Sequence, residues 1–265
     1  MCGIRGEILL ASDVAGFRVD NAATAPSSRP GYSEAKELDL LVPNIELATG
    51  CSPAFMPGQP PSTLAQSLST RIYSLLHSSS LINSDDLRIW YQPPDLSDQD
   101  KMDEDDVEGV EPEIKAFWVL YIDMLFISLD GNPFDAAWAA VVSALKDVRL
   151  PKAYWDADRE MILCDDTISE SKTLQLSGLP IAVTSLIFQA KEQAGGKHWL
   201  LVDPDTFEEG LCDESITVVV DCGSGKTTLL GVSKAGGAIV GKDQMKEIVK
   251  LAEKRWATLN RILKG

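Results

Sequence analysis

Apolar residues recur along the chain with two different periods. Ile4–Leu10 is rich in aliphatic and β-branched residues and predicts a strand. Leu40–Leu47 predicts a short extended segment, held open by Pro43. After Pro60 and Pro61 the spacing becomes helical. Leu64, Leu68, Ile72, Leu75 and Leu76 share one face of a helix running to about Ser79, and Thr63 with Gln66 has capping-box spacing. Leu87–Tyr91 predicts a further strand, and Ala116–Leu129 a long one, apolar on both faces and so central to its sheet. Asp130, Gly131 and Asn132 mark a turn, and Pro133 suits a first helical position. The helix Pro133–Lys146 is apolar nearly all round, from Phe134 through Trp138 and Val142 to Leu145, which predicts burial.

The second half repeats the style. Tyr154–Asp156 and Met161–Cys164 predict a hairpin, with Asp165 and Asp166 in its turn region. Ile181–Gln189, Trp199–Asp203, Ile216–Asp221 and Thr228–Val232 predict strands. A last helix starts near Lys242, with Met245, Ile248, Val249, Ala252, Trp256, Leu259 and Leu263 as its apolar stripe. The order predicts two α/β (α+β) units, each a sheet covered by helices, with the seam between Lys152 and Leu179. Two stretches break the pattern. Asn21–Gly31 is a loop by composition. Gln92–Glu113 holds almost nothing to bury and predicts a disordered acidic insertion, either a solvated loop or a docking segment for a basic partner.

Charge sharpens this picture. The formal net charge is −16, and the stretch Asp95–Glu113 alone contributes −9. Such a chain does not attract phosphate backbones through its overall field, so any contact with RNA must be local or made through partners. The five cysteines include no C-x-x-C pair, which argues against a disulfide framework or zinc module and for a reducing compartment. Arg5 and Glu7 interrupt the first apolar stretch, unlike a signal peptide. Ala116–Ile127 is broken by Asp123 and falls short of the roughly 20 residues a membrane span needs. Composition therefore predicts a soluble, intracellular protein.

Candidate chemistry is sparse. Val218–Leu230 (VVVDCGSGKTTLL) looks like a phosphate-binding P-loop, but Val220 stands where the first glycine is required, and the residues after Thr227 predict a strand. A hairpin turn at Gly223-Ser224-Gly225 accounts for the pattern. His77 and His198 lie in no ligand or base pattern. Asp203, Asp205, Glu208 and Glu209 match no EF-hand spacing and predict a turn leading into a capped helix. Trp118, Trp138 and Trp199 lie in apolar segments and are expected in the core. Arg149, Lys152 and Arg159 are candidates for a local basic patch, with ordinary solvated surface as the alternative. Spacing alone yields no catalytic, cofactor or metal site.

Several segments taken together resemble the RNase PH family, in particular the non-catalytic ring subunits of the eukaryotic RNA exosome. These are Leu41–Cys51 (LVPNIELATGC), Asp130–Pro151 (DGNPFDAAWAAVVSALKDVRLP), Pro180–Phe188 (PIAVTSLIF), Leu200–Glu209 (LLVDPDTFEE) and Ser233–Gly241 (SKAGGAIVG). The resemblance implies a two-domain RNase PH fold of the ribosomal protein S5 domain 2-like type. Residues 1–152 would form domain 1, 153–178 a hairpin and connection, and 179–265 domain 2. It implies a hexameric ring with other RNase PH-like subunits, S1/KH cap proteins, associated exoribonucleases and RNA threading the channel. It also implies rRNA maturation and RNA turnover in nucleus, nucleolus and cytoplasm. Active members place Thr and Arg at the start of the buried helix to hold phosphate; here Pro133, Phe134 and Asp135 stand there. Active members also carry two aspartates before the segment matching Pro180, where Lys172 and Gly178 occur. The resemblance thus implies no catalytic, cofactor or metal residues, the alternative being a phosphate-dependent 3′–5′ exoribonuclease. Family members carry a helix and strands before the segment matching Cys2–Leu10, so the chain is expected to start inside the first sheet, through truncation or a mis-called start codon.

Overall fold

The computed structural model describes residues 1–14, 34–56, 58–93, 112–189, 198–212, 214–237 and 239–264. The loop 21–31 and most of the acidic insertion lie outside them. In chain order the elements are β1 (Cys2–Leu10), α1 (Glu34–Glu37), β2 (Leu41–Leu47), α2 (Thr63–Ser78), β3 (Arg88–Tyr91), β4 (Glu113–Phe126), α3 (Pro133–Asp147), β5 (Arg149–Leu150), β6 (Ala153–Asp156), β7 (Met161–Cys164), β8 (Lys172–Thr173), β9 (Ile181–Gln189), β10 (His198–Val202), α4 (Thr206–Leu211), β11 (Ser215–Asp221), β12 (Thr228–Ala235) and α5 (Lys242–Lys264).

β4 is the spine of the first sheet. It pairs antiparallel with β1 over Ala116–Met124. Its other edge is shared end to end by β3, antiparallel, and β2, parallel. Pro43 sits in β2 at the sheet margin, where a missing N–H is tolerated. One face of β4 (Ile114, Ala116, Trp118, Leu120, Ile122, Met124) is buried. The other is mixed, running from buried Phe117 to exposed Asp123. The strand is central as expected, but it alternates rather than being buried on both faces.

The second sheet has the order β10-β9-β11-β12, antiparallel throughout. α5 covers one face through Ile248 and Ala252, which join Ile181, Val183, Ile216, Val218 and Val220 in one cluster. Ala182 and Val219, on the opposite face, belong to the first sheet's core together with Phe134, Trp138 and Leu145 of α3. α3 is therefore the wall between the two sheets, which is why its sequence is apolar nearly all round. Two indoles fasten the connection between the sheets. Trp138 donates to the Pro180 carbonyl (2.9 Å) and Trp256 of α5 to the Leu179 carbonyl (2.8 Å).

Three expectations change. The cap of α2 is Ser62, whose hydroxyl accepts from the Ala65 N–H, rather than Thr63. Gln66 bonds the Pro61 carbonyl instead of closing a capping box. Trp199 is not core: it is 57% exposed, because β10 is an edge strand and its alternate residues Leu200 and Val202 take the α5 side. Asp165 and Asp166 follow β7 rather than forming its hairpin turn. α4 appears as read, with a capping box between Asp205 and Glu208.

Candidate functional site

The start of α3 meets the start of α4, and the local sequence makes that contact possible. Gly131 has φ +81°, and a Cβ there would lie 2.3 Å from the Pro204 carbonyl oxygen, so only glycine lets the two backbones touch. Asn132 follows in the left-handed region (φ 40°) as the N-cap, and Pro133 opens the helix without an N–H. Asn132, 5% exposed, binds in three directions. Its backbone N–H donates to Glu209 (2.9 Å), and its side-chain amide donates to both Asp135 and Asp203 (2.9 Å each). Holding both carboxylates leaves its buried Oδ1 without a donor among the described residues.

Asp135 faces the second sheet rather than solvent. Its carboxylate accepts from the Thr184 N–H (2.7 Å) and the Thr184 hydroxyl (2.8 Å). The Thr184 proton is thus committed, so in the 2.9 Å contact between Thr184 and Thr217 the Thr217 hydroxyl donates. Arg71 of α2 donates in turn to Thr217 (3.3 Å), and its guanidinium carbon lies 3.9 Å from the centre of the Phe134 ring. A directed chain of hydrogen bonds therefore runs from Arg71 through Thr217 and Thr184 to Asp135, tying α2, β11, β9 and α3 together. Burial pushes the Asp135 carboxyl above the usual carboxylate range, and the Asp203 charge adds to this, against the hydrogen bonds from Asn132 and Thr184. Burial lowers the Arg71 pKa, and the Asp135 charge opposes it.

Arg71, Asn132, Pro133, Phe134, Thr184, Glu209 and Thr217 line a cleft of about 540 Å³ between α2, the start of α3 and the second sheet. A smaller hollow of about 230 Å³ shares Arg71, Phe134, Thr217 and Ser233 with it and extends the groove toward β12. The lining is otherwise hydroxyl-rich: Ser67, Thr184, Ser215 and Thr217. A helix N-terminus ordinarily draws an anion through its free N–H groups and its dipole. Here Pro133 supplies no N–H, the Asn132 N–H is taken by Glu209, and Asp135 and Asp203 stand beside it. A phosphate arriving at this point meets the Glu209 carboxylate, with Arg71 as the one cation lining the cleft among the described residues.

Lys172 and Gly178 are not part of this cleft. Lys172 is exposed on β8 and pairs with Asp86 (2.6 Å). A Cβ on Gly178 would sit 2.2 Å from the Asp221 carboxylate, which accepts from the Leu179 N–H. Both therefore lie outside the cleft, whose lining acid among the described residues is Glu209, with Asp135 and Asp203 held on the Asn132 amide behind it. The hairpin at Gly223–Thr227 is a turn between β11 and β12, with Gly225 at φ +76° and no helix following. Of the candidate basic patch, Arg149 is exposed on β5 and the other two residues sit beside acids. Lys152 pairs with Glu170, which raises its pKa, and Arg159 lies 3.8 Å from Asp156. His77 ends α2, its ring edge-on to Tyr73, and burial lowers its pKa. His198 lies 3.9 Å from Glu247. Among the described residues no group of acids, histidines and cysteines could hold a metal ion, and no helix is long and apolar enough to cross a membrane.

Comparison with known proteins follows the same division. Residues 19–151 match the family model for the 3′ exoribonuclease family, domain 1, and residues 178–255 the model for its domain 2. The exosome complex component rrp43 of Schizosaccharomyces pombe is 33% identical over 216 residues, covering 82% of this chain and 67% of that protein. The exosome complex component Rrp42 of Methanopyrus kandleri is 29% identical, covering 71% of this chain and 58% of its own length. The chain thus spans about two thirds of the first relative and less of the second. A subunit in the solved Archaeoglobus fulgidus exosome with RNA bound to the active site superimposes with a TM-score of 0.61 over 98% of this chain and 77% of that one, at 21% identity, which speaks for the fold.

Proposed function

This chain belongs to the 3′ exoribonuclease (RNase PH) family, and from that premise we propose that it is a non-catalytic structural subunit of an exosome core ring. It assembles with other RNase PH-like subunits, cap proteins and exoribonucleases, and supports 3′–5′ RNA processing and degradation by scaffolding and threading RNA. Its places of work are the nucleus, nucleolus and cytoplasm, and its two domains divide at residues 152 and 179. The observation that carries the non-catalytic reading is the start of α3. There Asp135, Asp203 and Glu209 crowd around Asn132, and Pro133 offers no N–H to an incoming phosphate. Phosphorolysis needs inorganic phosphate bound beside the scissile bond, and carboxylates at a few ångströms oppose it.

Arg71 favours the competing reading, a phosphate-dependent exoribonuclease, because it brings a guanidinium into the cleft. Its stacking on Phe134 and its bond to Thr217 assign it instead to the hydrogen-bond chain. Two measurements separate the readings. Affinity purification of the chain from its native source is expected to recover other ring subunits, and failure to do so refutes the scaffold. Incubation of purified protein with RNA and phosphate is expected to release no nucleoside diphosphates. Release that disappears in Arg71→Ala would establish the enzyme.

A further inference from the structure

α5 is the most positive element of an acidic chain. Seven of the 24 lysines and arginines lie on its 23 residues, against three acids. Lys242, Lys246, Lys250 and Lys254 recur every fourth residue, so they form one row with a rise of about 6 Å per step. Arg261 and Lys264 continue the same side, and all six are exposed. The buried stripe of Ile248 and Ala252 lies on the opposite side. Two of the three acids have a close partner. Asp243 pairs with Lys246, Glu247 faces His198, and Glu253 accepts from Thr227 at 2.6 Å. Among the described residues, Lys242, Lys250, Lys254, Arg261 and Lys264 have no ion pair. The contact with Thr227 also brings the hairpin tip, with exposed Lys226, against the middle of α5.

We propose that the outer face of α5, extended by Lys226, is a landing surface for the phosphate backbone of RNA. The choice of RNA among phosphate polymers rests on the ring-subunit reading above. An acidic protein is the other partner that positive charge would suit, but the composition of the face argues against it. Protein interfaces are anchored by apolar and aromatic residues with charges at the rim. On the side of α5 that carries the lysines the apolar residue is the small Ala257, with exposed Ile262 at its margin, whereas backbone binding to nucleic acid needs charge alone and carries no sequence preference. The remainder of the chain is strongly negative, so it repels RNA elsewhere and confines contact to this face.

The test uses the full chain and a fluorescent, unstructured single-stranded oligouridylate, with affinity read by anisotropy from 50 to 200 mM salt. Four neutralised phosphates give a log–log salt slope of about −3, or roughly 50-fold weaker binding at the upper salt. Replacing all four lysines (Lys242→Gln, Lys246→Gln, Lys250→Gln, Lys254→Gln) is expected to flatten the slope and weaken low-salt binding at least about tenfold. The matching four Lys→Arg changes are expected to keep both, which separates loss of charge from loss of fold. Unchanged RNA affinity in the Gln variant overturns the proposal. So does a Gln variant that loses binding to a polyglutamate peptide while keeping RNA. Recovery of ring subunits is scored separately: its failure in the wild type removes the ring reading and leaves the RNA result standing on its own.

Discussion

At the start of α3, carboxylates and a guanidinium are folded into one another, whereas along α5 the lysines face solvent and, Lys246 apart, have no ion pair among the described residues. Both are places where a helix could receive an anion. The first has the dipole and the cleft, yet Glu209, Asp135 and Asp203 fill its donors. The second has neither cleft nor helix terminus, only a row of cations every fourth residue. A dipole worth about 0.3–1 kcal/mol is decided by the side chains placed on it. The buried region binds α2 and α3 to the second sheet, and the exposed one remains available to a partner. Substitutions in the first region should therefore change stability and leave RNA affinity alone, and those in the second should do the reverse.

The largest effect is expected at Gly131. Its φ of +81° and the 2.3 Å approach of the Pro204 oxygen leave an alanine no room, so Gly131→Ala should cost about 4 kcal/mol or more, read as a lowered urea midpoint. An unchanged midpoint would mean that the two turns do not dock in solution. Asp135→Ala comes next, at about 3 kcal/mol, since it strips acceptors from the Thr184 N–H, the Thr184 hydroxyl and the Asn132 amide. Variants that still fold should bind the oligouridylate like the wild type; a rise in affinity would show that Asp135 repels RNA as well as holding the sheets.

pH offers a subtler probe of the same region. The folded pKa of Asp135 is raised above the ordinary 3.8, chiefly by burial. A group shifted this way contributes stability that is fully present below the unfolded pKa and is lost as pH rises through the folded pKa. The difference in unfolding free energy between wild type and Asp135→Asn should therefore favour the wild type most below pH 3.8 and shrink toward neutrality. A difference that grows with pH would place the carboxylate in a solvated or ion-paired setting instead.

The sequence was legible where periodicity was long and local. β4, α3 and the stripe of α5 follow from it directly, and so does α4, because Asp205 and Glu208 are three residues apart. It was illegible where the partner lies far along the chain. Asn132 bonds Asp203, 71 residues away, and Thr184 bonds Asp135, 49 away, so an acid that reads as a mere obstacle to phosphate turns out to join α3 to the second sheet. Trp199 was misread because apolar neighbours say nothing about whether a strand lies at an edge. Lys152 reads as part of a basic patch, but folding brings Glu170, 18 residues along, beside it.

The smallest expected effect bears on the boundary between the two regions. Lys226 ends the stretch that resembles a phosphate-binding loop, and its hairpin leans on α5 through Thr227 and Glu253. Its side chain is exposed, so Lys226→Ala should change stability by less than about 0.5 kcal/mol. If the tip belongs to the α5 face, the same change should reduce the magnitude of the RNA salt slope by roughly 0.7, one phosphate's share. ATP binding should be absent from both proteins, because the residues after Thr227 continue as β12 and present no helix N-terminus to a triphosphate. An unchanged slope would confine the cationic surface to α5 itself. ATP binding that vanishes with Lys226 would make the hairpin a phosphate cradle, and availability to anions in this chain would then depend on turn geometry as well as on a helix face.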